Sequence, residues 1–293
     1  MERSEVLKTN MDGKVCLVTG ANSGMGKETT LALAKMNAIV VMLCRSKERG
    51  EVAKENILEE VPNAQLDLML CDLASFNEIR KFSEAFKEKY DSLYVLINNA
   101  GIYHSKYQES EDGIAMVMAV NHFAPFLLTS LLEPLLKKSA PSRIVNVNSG
   151  LHKTAKITSE EIKTIEKMKK TGMKGYSKSK LANMLTVNKR AEILNNSGIT
   201  INAESPGMVA TNLPRHSFGA KVFWKIITPF IKSAEEGALP IIYLATSSKV
   251  EGISGKYFEE FEITEPNPVS KDKELIERMW KKSHKITGLD DKA

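Results

Sequence analysis

Residues 14–30 read KVCLVTGANSGMGKETT, and this stretch decides the fold. An apolar, β-branched run comes first, and a segment near 24–36 then follows the 3.6-residue periodicity of a helix. Between them lie Gly20, Gly24 and Gly26. Glycines here allow a tight turn and let the backbone approach a pyrophosphate, which the amides at the helix N-terminus then face. The stretch predicts a strand, a glycine-rich turn and a helix that together bind a dinucleotide.

Short apolar runs and helical patterns alternate along the rest of the chain. This alternation is typical of βαβ units, and continuously apolar strands predict a sheet that is covered on both faces. The predicted fold class is α/β, a single doubly wound Rossmann domain with about seven parallel strands and helices on both faces. The other predicted strands are 38–44, 65–73, 93–101, 143–150, 199–207 and a weaker 255–258, and the other predicted helices lie near 47–60, 75–90, 112–137, 174–196 and 234–246.

The sequence contains no internal linker or repeat. Residues 1–11 are therefore predicted to be a flexible leader and residues 12–293 a single domain. The chain ends with a predicted amphipathic helix at about 271–284, which would dock Met279 and Trp280.

The composition excludes several classes of protein. With 42% hydrophobic and 26% charged residues, the chain is typical of a soluble globular protein. The net charge of +5 is spread along the sequence, which argues against a nucleic-acid partner. No signal-peptide core and no apolar run of about 18 residues are present, so we predict a cytoplasmic protein and leave peripheral membrane contact open. The three scattered cysteines predict buried free thiols, and no metal site is predicted.

The end of the second predicted strand bears on cofactor choice. A site that prefers NAD usually has an acidic residue here for the ribose 2′-hydroxyl. This chain has Arg45 instead, with Lys47 and Arg49 nearby. A guanidinium can hold a 2′-phosphate in a forked contact, whereas a carboxylate would repel it. The sequence therefore favours NADP(H) over NAD(H). The alternative is that Arg45 merely starts the next helix.

Residues 171–185, TGMKGYSKSKLANML, place Tyr176 four residues before Lys180 on a helical pattern, so the two lie on one helix face. A free tyrosine has a pKa of about 10, and lowering it by about 3 units takes roughly 4 kcal/mol. A nearby ammonium and the positive charge of an oxidised nicotinamide can supply this. We predict that Tyr176 moves a proton to or from a carbonyl oxygen, and that Ser149 hydrogen-bonds that oxygen as charge develops. A solvated surface pair is the alternative.

In their order and spacing, these motifs resemble the short-chain dehydrogenase/reductase superfamily. The resemblance covers about residues 12–260 and rests on the three glycines, NNAG at 98–101, the serine after the fifth strand and Tyr-x-x-x-Lys at 176–180. Within that superfamily, NHFAPFLLT at 121–129, SPGMVATNL at 205–213 and the MWKKSHKITGL tail are similar to the retinol dehydrogenase-like branch.

The resemblance implies which residues bind the cofactor and complete the catalytic set. Lys180 would hold the nicotinamide ribose together with Tyr176, and Asn121 would hold a water that links Lys180 to solvent. Family members often pair through the helices that correspond to 112–137 and 174–196, so a homodimer is one expected arrangement. The implied cofactor-binding residues are the turn residues Gly20, Asn22, Ser23, Gly24, Met25 and Gly26; Asp72 and Leu73 beside the adenine; Asn99, Ala100 and Gly101 under the adenine ribose; and Pro206, Gly207, Val209 and Thr211 at the carboxamide.

The stretch HSFGAKVFWKIITPFIKSAEEG at 216–237 is rich in large apolar residues. The resemblance implies that residues about 208–233 form a substrate lid, and an apolar lid predicts a small lipophilic aldehyde or ketone, or the corresponding alcohol, as substrate. A surface helix packed on its own domain and a membrane-surface contact are alternatives. The lid residues expected to face the substrate are Phe218, Phe223, Trp224 and Ile227.

Two functions of different classes follow from the sequence. The leading hypothesis is an NADP(H)-dependent oxidoreductase for a lipophilic carbonyl compound. The alternative is a catalytically weak dinucleotide-binding redox sensor or partner-binding protein on the same fold. Such proteins commonly lose the tyrosine or the lysine, whereas this chain has both.

Overall fold

Eight strands form one sheet in the order β3-β2-β1-β4-β5-β6-β7-β8. The computed structural model describes residues 6, 8–207 and 232–289. Neighbouring strands are parallel except for the last pair, which is antiparallel. The strands are β1 Val15–Thr19, β2 Ile39–Cys44, β3 Gln65–Leu70, β4 Val95–Asn98, β5 Ser142–Val147, β6 Ile199–Ser205, β7 Tyr257–Glu259 and β8 Glu262–Ile263.

This topology confirms the predicted doubly wound fold and corrects its strand count. The additional strand, β8, has two residues and pairs with β7 at the edge of the sheet. Two residues are too few for strand periodicity to be visible in the sequence.

Helices cover both faces of the sheet. The described helices are α1 Gly24–Lys35, α2 Lys47–Glu60, α3 Phe76–Lys89, α4 Met116–Lys138, α5 Ser159–Lys163, α6 Gly172–Ile193, α7 Ala234–Thr246 and α8 Lys273–Thr287. Short 3₁₀ turns lie at Gly150–Thr154, Ile165–Lys167, Ser248–Val250 and Pro268–Lys271.

Successive strand residues point into two apolar layers. Leu17 belongs to the layer that contains the apolar residues of α4 and α6, and Val18 belongs to the layer that contains those of α1 and α7. This alternation follows from the two-residue period of a strand, and it explains why the inner strands are apolar along their whole length. The predicted free thiols, Cys16, Cys44 and Cys71, are confirmed and are buried.

Helix α4 is the one described helix that is long and apolar enough to cross a membrane. In the folded chain, 72% of its apolar window is buried. Leu127, Leu128 and Leu132 on this helix are fully covered by the layer shared with α6. Its apolar character is therefore accounted for by core packing.

The C-terminal helix α8 packs across α4 and α6. Asp272 caps it by accepting a hydrogen bond from the Leu275 amide (3.1 Å). The Trp280 ring packs edge-on against Phe126 with 5.0 Å between centroids. The Arg190 guanidinium lies 4.8 Å from the Trp280 ring and 5.1 Å from the Phe126 ring. The helix therefore docks as predicted, two or three residues later along the chain than expected.

Part of the predicted leader is attached to the domain. Met11 is buried, and its amide donates to the Met36 carbonyl (2.7 Å). The Thr9 hydroxyl donates to the Thr246 carbonyl (3.3 Å). The flexible leader therefore does not extend to residue 11, and residues 1–5 and 7 lie outside the described residues.

Candidate active site

The glycine turn between β1 and α1 lies at the carboxyl edge of the sheet, where open α/β sheets bind their ligands. Gly20 has a φ of 68°, and its amide donates to the Leu43 carbonyl (2.9 Å). A Cβ on Gly26 would stand 2.3 Å from the Gly20 carbonyl oxygen and 2.5 Å from Asn99 Nδ2. Only glycine fits at residue 26 without moving backbone. The other predicted residues of the turn, Asn22, Ser23, Gly24 and Met25, lie between these two glycines.

Arg45 lies beside Asp72 where β2 and β3 end. The Arg45 side chain is 64% exposed, and its Nη1 is 4.0 Å from Asp72 Oδ2. Leu73 follows directly. Helix α2 begins at Lys47 with Ser46 as its cap. Arg45 therefore precedes the helix and its cap, and its guanidinium is accessible to a ligand at this edge of the sheet.

The loop after β4 brings Gly101 to the reaction end of the site. The Ala100 amide donates to the Thr19 hydroxyl (2.9 Å), which ties this loop to β1. A Cβ on Gly101 would stand 3.5 Å from Asn121 Oδ1 and 3.5 Å from Lys180 Nζ. The space beside the lysine is therefore open because residue 101 has no side chain.

The fold gathers the three residues that the sequence predicts to react. Strand β5 ends at Val147, three residues before the end of the predicted strand 143–150. Ser149 caps the turn that follows and accepts a hydrogen bond from the Leu151 amide (3.3 Å). The Ser149 hydroxyl lies close enough to the Tyr176 hydroxyl to lower the pKa of the phenol. Lys180 donates from Nζ to the Val147 carbonyl (2.8 Å), with Nζ 5.6 Å from the Tyr176 ring centroid.

Burial acts on both titratable groups of this set. It raises the pKa of Tyr176, and the hydrogen bond from Ser149 acts in the opposite direction. Burial lowers the pKa of Lys180 to about 8, against the nearby Glu204 carboxyl, which raises it. At neutral pH the lysine therefore keeps its proton. Any lowering of the phenol pKa has to come from Ser149 and from positive charge nearby, since the apolar surroundings work against it.

Asn121 is held by a π-helical turn, Ala119–Phe123, inside α4. Its Oδ1 accepts from the Ile102 amide (2.8 Å), and its Nδ2 donates to the Ile102 carbonyl (2.9 Å) and to Ser179 Oγ (3.1 Å). The Asn121 carbonyl accepts from Asn183 Nδ2 (2.8 Å). Turns of this kind are frequent at functional sites. The turn fixes the asparagine against the helix that carries the tyrosine and the lysine.

Comparison with known proteins identifies the family. The sequence profile described as short chain dehydrogenase matches residues 14–220, more than half of the chain. The chain belongs to the short-chain dehydrogenase family. Members of this family are oxidoreductases that use a nicotinamide dinucleotide, and the fold implies NAD(P) for this chain.

The relatives of this short-chain dehydrogenase lie in the retinol dehydrogenase-like branch. Human retinol dehydrogenase 12 is 38% identical over 286 residues, which cover 97% of this chain and 90% of the relative. Mouse retinol dehydrogenase 14 is 39% identical over 293 residues, 95% and 87% of the two chains. Among solved structures, an uncharacterised protein from Mycobacterium paratuberculosis is 25% identical with a TM-score of 0.78, covering 97% of each chain.

The described residues fit the dinucleotide that the family uses. The turn leaves no room for a Cβ at Gly26 and little at Gly20, where it would stand 3.2 Å from the Ala100 Cα, and Gly101 has no side chain beside Lys180. The backbone at these glycines is therefore open to close approach by a ligand such as the dinucleotide. Pro206 and Gly207 follow β6 at the same edge.

Two buried histidines near the short-chain dehydrogenase site have packing roles. His122 contacts Ser283 Oγ through Nε2 (2.8 Å) and Asn183 Oδ1 through Nδ1 (3.2 Å). Burial lowers its pKa to about 4, so the ring is neutral. His152 Nε2 accepts a hydrogen bond from the Asn267 amide (3.2 Å). Both side chains join helices and turns around the site.

Sequence reasoning missed one charged residue of the site, Glu204. It lies on β6, directly opposite Val147 in the ladder, and is 0% exposed. Its signal in the sequence is a carboxylate within an apolar run, ITINAES, at 199–205.

Several predicted site residues fall in the segment 208–231, outside the described residues. They are the carboxamide contacts Val209 and Thr211 and the lid residues Phe218, Phe223, Trp224 and Ile227.

Proposed function

We propose that this short-chain dehydrogenase uses NADP(H) to interconvert a lipophilic aldehyde or ketone and its alcohol. The observation that carries the proposal is the convergence of Ser149, Tyr176 and Lys180 beside the glycine turn, at one edge of the sheet. The same edge has Arg45 where a carboxylate would select NAD.

Each residue has a distinct role in this reaction. The bound cofactor supplies or accepts the hydride. Tyr176 gives its phenol proton to the carbonyl oxygen in reduction and takes one from the alcohol in oxidation. Ser149 donates a hydrogen bond to the same oxygen as negative charge develops there. Lys180 stabilises the phenolate that forms, and Asn121 holds the segments from which these residues project.

The lipophilic substrate is supported by two independent features. Retinol dehydrogenases 12 and 14, by their names, act on retinol, a lipophilic alcohol. In this chain the Tyr103 ring lies 6.3 Å from the Tyr176 ring and provides an apolar wall beside the reacting phenol. The apolar residues of the segment 208–233 would complete the pocket, and we propose that this segment is the lid.

The cofactor preference gives a first prediction. Turnover of a panel of medium- and long-chain aldehydes, steroids and retinal is measured with NADPH and with NADH. We expect wild type to prefer NADPH. Arg45→Glu should lower kcat/KM for NADPH by roughly 10–100-fold, because a charge-assisted contact to the 2′-phosphate is lost and a repulsive carboxylate gained. The value for NADH, which has no 2′-phosphate, should change less than about threefold.

Arg278→Glu is the matched control, because it makes the same charge change at an exposed residue of α8. It should leave the ratio of the two kcat/KM values unchanged. Faster wild-type turnover with NADH would contradict the NADP(H) preference. Tight cofactor binding without turnover across the panel would favour the redox-sensor alternative.

A further inference from the structure

Glu204 is a buried carboxyl that has no hydrogen-bond partner among the described residues. Its side chain is 0% exposed, and neither Oε1 nor Oε2 has a partner in the part of the chain that the structure describes. Most buried polar groups are paired, because an unpaired one has lost its hydrogen bonds to water without gaining others. The family profile places this residue in an oxidoreductase domain, but neither the proposed proton transfer nor the fold requires a carboxyl at this strand position.

Charged groups on several elements act on Glu204 electrostatically, and its two lysines each have another hydrogen-bond or ion-pair partner. Lys180 on α6 donates to the Val147 carbonyl, directly across the ladder from Glu204. Lys232, before α7, pairs with Glu260 after β7 at 2.5 Å. Tyr257 on β7 also interacts electrostatically with the carboxyl. Both ammonium groups therefore act on the Glu204 carboxyl electrostatically, and neither forms a hydrogen bond or ion pair with it.

The balance of these effects shifts Glu204 towards its protonated form in the protein alone. Burial raises its pKa well above the ordinary value, and Glu260 adds to this. Lys180 and Lys232 act in the opposite direction without reversing it. Burial without a hydrogen bond thus favours the neutral form of Glu204, and one more positive charge nearby would favour the carboxylate.

The reaction itself brings such a charge. Hydride passes between the cofactor and a carbon whose oxygen contacts Tyr176, so the nicotinamide ring must lie beside Tyr176 and Lys180. The ring carries a positive charge when oxidised and none when reduced. We propose that Glu204 senses the redox state of the cofactor: it keeps its proton with reduced cofactor and releases it to solvent when oxidised cofactor binds.

The proposal predicts proton release that depends on the cofactor's redox state. Oxidised and reduced cofactor are titrated into the protein by calorimetry at pH about 7, in two buffers of different ionisation enthalpy. Wild type should release up to one proton more with oxidised than with reduced cofactor, and its affinity ratio for the two forms should change by up to about tenfold per pH unit. The 2′-phosphate titrates in both forms and cancels in this ratio.

Glu204→Gln should lose most of the difference in proton release between oxidised and reduced cofactor. Lys180 and Tyr176 also respond to the nicotinamide charge, so the quantity to compare is the release by wild type minus that by the variant. Glu28→Gln is the matched control, because Glu28 on α1 is another carboxyl whose pKa is raised by burial; it should behave as wild type. Equal proton release by wild type and Glu204→Gln would overturn the proposal.

A direct measurement on wild type does not depend on the variant folding. The infrared difference spectrum between the oxidised and reduced cofactor complexes should show loss of a protonated-carboxyl band and gain of a carboxylate band. Absence of both bands would overturn the proposal even if proton release were observed. Absence of binding by either form would instead contradict the cofactor assignment, and this proposal with it.

The protein without cofactor gives a further prediction. A carboxyl whose pKa is raised in the folded state stabilises the fold most below its unfolded pKa of about 4.3, and that contribution is lost as pH rises towards the folded pKa. The Tm of wild type should therefore fall relative to that of Glu204→Gln between pH about 5 and 8. A Tm difference that stays constant over this range would show that Glu204 does not titrate as proposed.

Discussion

Tyr176→Phe is expected to lower kcat for carbonyl reduction by at least about a hundredfold, because the variant loses the hydroxyl that we propose as the proton donor to the substrate oxygen. The ring is half-buried, and a phenylalanine keeps its packing beside Tyr103 and its position below the Lys180 ammonium. Cofactor affinity should therefore change less than about threefold. Steady-state kinetics and a separate cofactor titration distinguish the loss of chemistry from a loss of binding.

The chain offers a close control for this substitution. Tyr103→Phe removes a phenol oxygen from the neighbouring ring, 6.3 Å away between centroids, and should leave kcat within about threefold. The kcat of Ser149→Ala should lie between those of Tyr176→Phe and Tyr103→Phe, since a lost hydrogen bond to a developing oxyanion lowers kcat by roughly 10²–10³-fold. If Tyr176→Phe retained wild-type turnover, the proton would have to come from another group and the proposed mechanism would be wrong.

Gly26→Ala is expected to disrupt both folding and cofactor binding. The new Cβ would stand 2.3 Å from the Gly20 carbonyl oxygen and 2.5 Å from Asn99 Nδ2, so backbone on one side of the turn must shift. Overpacking of this kind costs about 1–3 kcal/mol, and here the shift also displaces the amides that face the pyrophosphate. We expect a Tm lower by several degrees and cofactor affinity lower by at least about tenfold.

Gly101→Ala should separate the effect on stability from the effect on cofactor binding. Its Cβ would make only ordinary contacts at 3.5 Å with Asn121 Oδ1 and Lys180 Nζ, so stability should change by less than about 0.5 kcal/mol. The methyl group nevertheless occupies the open space beside the lysine and should weaken cofactor binding. Wild-type affinity in Gly101→Ala would show that this space is not used, and a wild-type Tm in Gly26→Ala would show that the turn can relax.

The sheet was predictable because its strands are short, apolar and separated by helical patterns, so the period of the sequence changes at each boundary. The edge strand β8 was missed for the opposite reason, since two residues have no period. The 3₁₀ turns between Ser149 and Tyr176 were also missed. They are too short to show a helical stripe, and their positions depend on packing against α8 and β7.

The proximity of Tyr176 and Lys180 could be predicted from sequence because their spacing is local and places both on one helix face. Glu204 could not be found in this way. Its closeness to the site follows from two residues far away in sequence. Val147 lies opposite it on the neighbouring strand, and Lys180 on α6 donates to the Val147 carbonyl. The π-helical turn around Asn121 was likewise invisible, because it needs the hydrogen bonds to Ile102 that only the folded chain makes.

Helix α8 packs against the two helices that carry Asn121, Tyr176 and Lys180, and so supports the candidate site from a distance. Ser283 on that helix holds His122, the neighbour of Asn121, and Trp280 closes over Arg190 further along the helix of Tyr176 and Lys180. A chain truncated before residue 273 would retain Ser149, Tyr176 and Lys180. It would lose the helix whose packing holds α4 and α6 in place.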